Sequence, residues 1–332
     1  MYQTTGCYVS PVALPLEEGG LLGGAQVAWC AYGERSDDNV VVLLHDLTHS
    51  HQALAAPSGS LFRSSGWGAE LVGVGRPLDT SGLHVVVPNL LGSPFGSTSP
   101  VSVDPQSGRP YCAALPTVTV LDMARAVAAL LRDMKVMRAR TLVGVGLGGV
   151  VALRLAALFP ELAASVVVLG AARTLPESLR ERFGLTRHAL RMDADSPQRT
   201  LRKQYLEYLR LVQGPGVMAS EPPDSAGLAL EAEAQAFADT FDANAWALLC
   251  TAYAGADLSE CLAEVRAPVL LAAAANDALA PPSRVRDTYH QLSAVGVRAH
   301  YHELPEPCAH RDLLSEARRL HGPLRDFLRR RG

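Results

Sequence analysis

The chain has 332 residues, 48% of them hydrophobic and 19% charged, with a formal net charge of −3. That length is ample for a sizeable core, the composition excludes a disordered chain, and the weak acidic balance excludes a nucleic-acid surface built on a basic field. The apolar runs carry arginines or glycines and are too short to span a bilayer, and the first twenty residues lack the basic-then-apolar pattern of a signal peptide. Six cysteines without a C-x-x-C pair read as reduced thiols of a cytoplasmic protein.

In chain order, short strands near Ala13–Pro15 and Gln26–Tyr32 are predicted to form an antiparallel edge. Val40–Leu44, Leu83–Val87, Thr141–Gly144, Ser165–Leu169 and Val269–Ala273 are apolar, mostly β-branched runs that read as strands buried on both faces. Val120–Met134 and Leu147–Phe159 have the spacing of apolar helices. Strands alternating with helices predict an α/β fold, a mostly parallel sheet with helices on both faces. From Arg173 to Asn244 the spacing is helical, broken at Gly214–Gly216 and Glu221–Gly227, and no buried strand is visible. This predicts a helical lid, 173–244, inserted into a core domain of 1–172 and 245–332. The basic run at the C-terminus reads as the exposed face of a last helix.

The stretch Gly144-Val145-Gly146-Leu147-Gly148-Gly149 admits two readings. As G-x-G-x-x-G it is a dinucleotide turn, which asks for an acid at the end of the next strand, about 20 residues on. That strand ends Val168-Leu169-Gly170-Ala171-Ala172-Arg173, without one. As the strand–turn–helix of a nucleophile elbow, G-x-S-x-G, it has Gly146 in the serine's place, and asks for an acid and then a histidine after later strands. Asp277 follows the strand Pro268–Ala275, and His310 follows the strand around Ala299–Leu304. Val40–Leu44 leads into His45-Asp46-Leu47-Thr48, the right place for an oxyanion-binding amide. The second reading is favoured, and nicotinamide binding at the turn is kept only as a remote third.

The residues that agree with this reading extend beyond the triad positions. His45-Asp46-Leu47-Thr48, Gly66-Trp67, Leu78-Asp79-Thr80, Pro88-Asn89-Leu90-Leu91-Gly92, Gly96-Ser97-Thr98, Gly108-Arg109-Pro110-Tyr111, Pro116-Thr117-Val118-Thr119 with Asp122-Met123, Phe241-Asp242-Ala243-Asn244, Asp277 and His310 together resemble the homoserine O-acetyltransferase branch of the α/β hydrolases, over nearly the whole length. The resemblance implies the α/β-hydrolase fold, acetyl-CoA or another acyl-CoA as co-substrate with no bound cofactor or metal, a small-molecule acceptor, and a homodimer. It also implies Asp277 as orienting acid, His310 as general base, and the amides of Leu47 and Leu147 as the oxyanion hole. Thr48, Arg187 and Arg311 are the candidate substrate contacts.

Two departures from the family pattern matter. Gly146 offers no oxygen, so no acyl-enzyme forms there, and a triad enzyme without its serine loses on the order of 10⁶ in turnover. Arg311 stands where the family has an acid beside its histidine, and the lid stretch Ala232-Glu233-Ala234-Gln235-Ala236 replaces one expected to contain tyrosine. A lone arginine there repels a substrate ammonium, which argues against homoserine; a solvated arginine paired with Asp312 or Glu316 is the plainer alternative. The expected function is therefore small-molecule acyl transfer or hydrolysis-type chemistry without an acyl-serine, with His310–Asp277 as base. The alternative is an inactive ligand-binding or partner subunit, in which the two residues are leftovers.

Other constellations carry less. His45, His49 and His51 run from a strand into a loop and are set aside as a zinc set. Cys308 is a displaced nucleophile only if its pKa is lowered, and otherwise a small buried residue. Thr48 is expected to line the pocket and Ser97 to bond within a turn, while His300 and His302 share a strand face.

Overall fold

The computed structural model describes residues 2–55, 66–213 and 223–329. The strands among these are β1 (Gln3–Val9), β2 (Leu14–Pro15), β3 (Leu21–Leu22), β4 (Gln26–Tyr32), β5 (Val40–Leu44), β6 (His84–Pro88), β7 (Thr141–Val145), β8 (Val166–Leu169), β9 (Val269–Ala274) and β10 (Ala299–Leu304). Eight of them form one sheet in the order β1-β4-β6-β5-β7-β8-β9-β10. β5, β6, β7, β8, β9 and β10 run parallel, and β4 joins both β1 and β6 antiparallel. The expected edge pair is corrected: Gln26–Tyr32 pairs with Gln3–Val9, while β2 pairs with β3 in a separate small sheet. β1 escapes a reading by apolar runs because it alternates exposed and half-buried residues along a sheet edge.

The central strands are apolar throughout because both faces are covered. Val40, Val42 and Leu44 of β5 enter one apolar cluster, and Val41 and Leu43 the other. The first cluster packs under α1 (Val120–Asp133) and α2 (Leu147–Leu158); the second includes Leu313, Leu320, Leu324 and Phe327 near the C-terminus. The Thr119–Asp122 motif starts α1: the Thr119 hydroxyl accepts from the Asp122 amide, and the Asp122 carboxylate accepts from the Thr119 amide.

Between β8 and β9 lie α3 (Glu177–Gly184), α4 (Thr186–Met192), α5 (Pro197–Val212), α6 (Pro223–Thr240) and α7 (Ala243–Gly255). The first expected break, Gly214–Gly216, and the start of the second, at residues 221 and 222, lie outside the described residues. α7 packs on α3 and α4, so the helical segment continues past residue 244 to Gly255. Tyr205 and Tyr208 of α5, Phe237 of α6 and Phe241 just after it stack in a layer, and Trp246 of α7 meets Tyr205, Tyr208 and Phe237 edge-on. After β9 come α8 (Pro282–Ala294), β10, α9 (Asp312–Ser315) and α10 (His321–Arg329). No described helix is long and apolar enough to cross a membrane.

Candidate active site

Three chain segments meet at the carboxyl end of the parallel strands, where open α/β sheets place their sites. The turn after β5 brings Asp46, the loop after β9 brings Asp277, and the loop after β10 brings His310. All three are buried. Asp277 is fixed by its own turn, its Oδ1 accepting from the amides of Leu279 and Ala280, both at 2.8 Å. Its Oδ2 lies 2.6 Å from His310 Nδ1. The other ring nitrogen, Nε2, lies 3.3 Å from Oδ2 of Asp46. Asp46 Oδ2 also accepts the hydroxyl of Tyr208, reaching in from α5, at 3.1 Å, and Oδ1 accepts the Leu147 amide at 2.9 Å. His45 holds the turn: the Leu90 amide donates to its Nε2 at 3.0 Å, which leaves Nδ1 to donate to the Asp46 carbonyl at 2.8 Å.

Gly146 joins β7 to α2 at φ +50° and ψ −119°, the backbone of a tight elbow that a side chain tolerates poorly. A Cβ built on Gly146 overlaps Oδ1 and Cγ of Asp46 outright and lies 2.9 Å from Oδ2. The volume a nucleophile would occupy is filled by the carboxylate of Asp46. Gly148 is required for a different reason: a Cβ there overlaps the Leu44 carbonyl and lies 2.6 Å from that of His45, so only glycine lets α2 approach β5 this closely. The turn does hold an anion, but the anion is a side chain of the chain itself, seated at the positive N-terminus of α2.

Charge follows from this geometry. Burial opposes a proton on the His310 ring, but the charge and hydrogen bond of Asp277, and then those of Asp46, outweigh it and push His310 up to about 10. Burial likewise opposes ionisation of Asp46; the hydrogen bond and charge of His310, with His49 and the Leu147 amide behind them, hold its carboxyl well below the usual range. Each ring nitrogen of His310 thus faces a carboxyl oxygen, Nδ1 that of Asp277 and Nε2 that of Asp46. The sequence expects His310 as the general base, and both of its ring nitrogens lie against carboxyl groups.

The sequence candidates now have places. Asp277, His310, Gly146 and Leu147 come together, and Leu47 is buried one residue past Asp46. Thr48 is half-buried in the same turn. Arg187 lies on α4 and takes no part in the hydrogen bonds described for the cluster. Arg311 pairs with neither Asp312 nor Glu316: its guanidinium grips Glu233 of α6 with both terminal nitrogens at 3.2 Å. Arg311 and Glu233, singled out separately in the sequence, are thus partners, and Arg311 is not the lone arginine on which the expected repulsion of an ammonium rested. Cys308 is buried, and burial followed by the charge of Asp312 pushes its thiol up to about 12, which removes it as a nucleophile. Ser97 does not bond within its own turn as expected: it donates to the Asn89 carbonyl and accepts from the Ala28 amide of β4, tying the two segments together. His49 stacks on Trp67, and among the described residues no cluster of His, Cys, Asp or Glu is arranged to hold a metal.

Sequence reasoning missed Asp46 and Tyr208. Asp46 carried one usable signal, an acid two residues beyond a fully apolar strand, at the carboxyl end where sites form. Nothing local marks Tyr208, which meets Asp46 across 162 residues.

Comparison with known proteins agrees with the fold. The model of the α/β hydrolase fold family matches residues 39–220. The chain is 30% identical to the homoserine O-acetyltransferase of Geotalea daltonii, covering 96% of this chain and 95% of that protein. It is 31% identical to the L-serine/homoserine O-acetyltransferase of Streptomyces lavendulae with the same coverage. The crystal structure of homoserine O-acetyltransferase from Bacillus anthracis superposes with a TM-score of 0.85 at 20% identity, over 100% of this chain and 99% of that one.

Proposed function

We propose that this chain, which belongs to the homoserine O-acetyltransferase branch of the α/β-hydrolase family, carries out acyl-group chemistry on a small molecule without an acyl-serine intermediate. The acyl donor is an acyl-CoA such as acetyl-CoA, and the acceptor is a hydroxyl or water, reached in one displacement while both reactants are bound. The observation that supports this is the Asp277–His310 pair, intact at 2.6 Å beneath an elbow whose residue 146 offers no oxygen. The acceptor oxygen bonds to the acyl carbon as the thioester C–S bond breaks; His310 gives a proton to the leaving thiolate sulfur and, oriented by Asp277, takes as general base the proton of the acceptor hydroxyl, so the ring ends in the state in which it began. The Leu47 and Leu147 amides are the groups available to an oxyanion once Asp46 is displaced, and Thr48, Arg187 and Arg311 are the substrate contacts. With Arg311 neutralised, a hydroxy amino acid is an admissible acceptor. The helices from 173 to 244 act as a lid, and the enzyme is a cytoplasmic homodimer without bound metal or cofactor.

The test is thiol release from acetyl-CoA with and without hydroxy amino acids, comparing the natural chain with His310→Ala. Acceptor-dependent release that falls by at least 10²-fold in the variant supports the proposal; release that is equal in both refutes it. A second reading, a ligand-binding or partner subunit without turnover, is favoured by one observation, the Asp46 carboxylate seated in the nucleophile's volume. No release by the natural chain, together with retained binding of acyl-CoA, supports that reading instead.

A further inference from the structure

The loss of serine at residue 146 does not leave a vacant site. Asp46 fills the space at both oxygens. Its Oδ1 takes the Leu147 amide, one of the two donors expected for an oxyanion, and its Oδ2 takes the hydrogen-bond position opposite His310 Nε2 that a nucleophilic oxygen would hold. Carboxylates only accept, so a histidine bonded through both nitrogens to two of them must donate through both. The helix N-terminus and the Tyr208 hydroxyl favour the ionised form of Asp46 over a protonated one. The groups facing His310 are Asp277 from the loop after β9 and Asp46 from the turn after β5. Tyr208 from α5 faces Asp46, the charge of His49 reaches Asp46, and the charges of Asp46 and Asp277 reach the buried Tyr253 of α7. The Tyr253 hydroxyl has no hydrogen-bond partner among the described residues.

We infer that Asp46 has taken over the nucleophile's place as a resident anion that holds His310 as an imidazolium, so that His310 meets a substrate as a proton donor and the site is closed to acyl-serine chemistry even when a serine is restored. Asp46 is a positioning residue in this sense: it acts through His310 and the Leu147 amide. The inference goes beyond the acyl-transfer reading, since it concerns the protonation and occupancy of the site whatever the substrate, and its tests use no substrate.

Two measurements decide it. The first is the ¹⁵N spectrum of the His310 ring against pH. In the natural chain both nitrogens keep imidazolium shifts past pH 8; in Asp46→Asn, whose amide can donate to Nε2, the ring becomes neutral at least one pH unit lower. A natural-chain ring that is neutral by pH 7, or a titration unchanged by Asp46→Asn, overturns the inference. The second is covalent labelling by a fluorophosphonate, which needs an activated serine: the serine oxygen bonds to phosphorus, fluoride leaves, and the hydroxyl proton passes to His310. Gly146→Ser alone is expected to label at least 10²-fold more slowly than Asp46→Ala/Gly146→Ser. Equal labelling of the two overturns the inference, as does a folded double variant that does not label. Should the double variant not fold, the ¹⁵N titration of Asp46→Asn stands as the deciding result. Acyl-transfer failure shows as silent thiol release with these two results intact, and so is distinguishable from failure here.

Discussion

Placing a serine at residue 146 is a sharp test of the packing, because the structure gives the cost two separable parts. At φ +50° any side chain is strained, by about 1–3 kcal/mol. In addition, the new Cβ drives out Asp46, which gives up the Leu147 amide, the Tyr208 hydroxyl and the His310 ring. Hydrogen bonds to a charged group contribute about 1.5–3 kcal/mol each, and three that fail together sum to less than three separate losses. Gly146→Ser is therefore expected to destabilise by roughly 3–6 kcal/mol in the natural background, on the order of the strain plus one or two such bonds. With Asp46→Ala the obstruction is gone, and the same serine costs only the strain, about 1–3 kcal/mol. The coupling between the positions is then about 2–3 kcal/mol. Urea unfolding of the natural chain, both single variants and the double variant, followed by far-UV circular dichroism, completes the cycle. If serine costs the same in both backgrounds, within about 0.5 kcal/mol, Asp46 does not share the nucleophile's volume and the packing described for the site is wrong.

Three further outcomes follow from other parts of the structure. The His310 ring is raised from 6.5 to about 10, so its stabilisation is complete below pH 6.5 and is lost as pH rises through about 10; Asp46 is held below 3.8, so its share is present above that pH and is lost on acidification. The stability difference between the natural chain and Asp46→Asn, measured by urea unfolding from pH 5 to pH 10, should be level until the variant's own His310 midpoint and shrink from there to about pH 10, and a difference that is level throughout contradicts the ion triple. Gly148→Ala places a methyl against the Leu44 backbone carbonyl, which cannot move aside, and should cost about 3 kcal/mol or more in the same assay; near-natural stability would show that α2 is less closely seated than described. Thr119→Ala removes half of the capping box on α1 and should lower stability by about 1 kcal/mol, and faster amide exchange in the first turn of α1 would place the loss there.

Asp277 and His310 are legible in the chain itself because each follows a strand recognisable by its own apolar run, in the order an elbow demands. Local pattern and chain order carry that information. The Arg311–Glu233 pair shows the limit: each residue stands out alone, but their neutralisation of one another depends on how α6 lies against the loop after β10, which no spacing in the chain encodes. β1 is hidden for a related reason. An edge strand exposed on one side has no continuous apolar run, and its pairing with β4 is a long-range choice.

By itself the sequence determined the parallel core, the helical segment inserted between β8 and β9, and the absence of an oxygen at residue 146, because apolar periodicity and side-chain chemistry are properties of the chain alone. The tertiary structure decided what replaced that oxygen. Asp46 lies 101 residues from the amide that binds it, 162 from the hydroxyl and 264 from the histidine, so only packing brings the four groups together. Packing also decided the state of His310: a ring between two buried carboxylates keeps a proton that the same residue in an open elbow would give up near neutral pH.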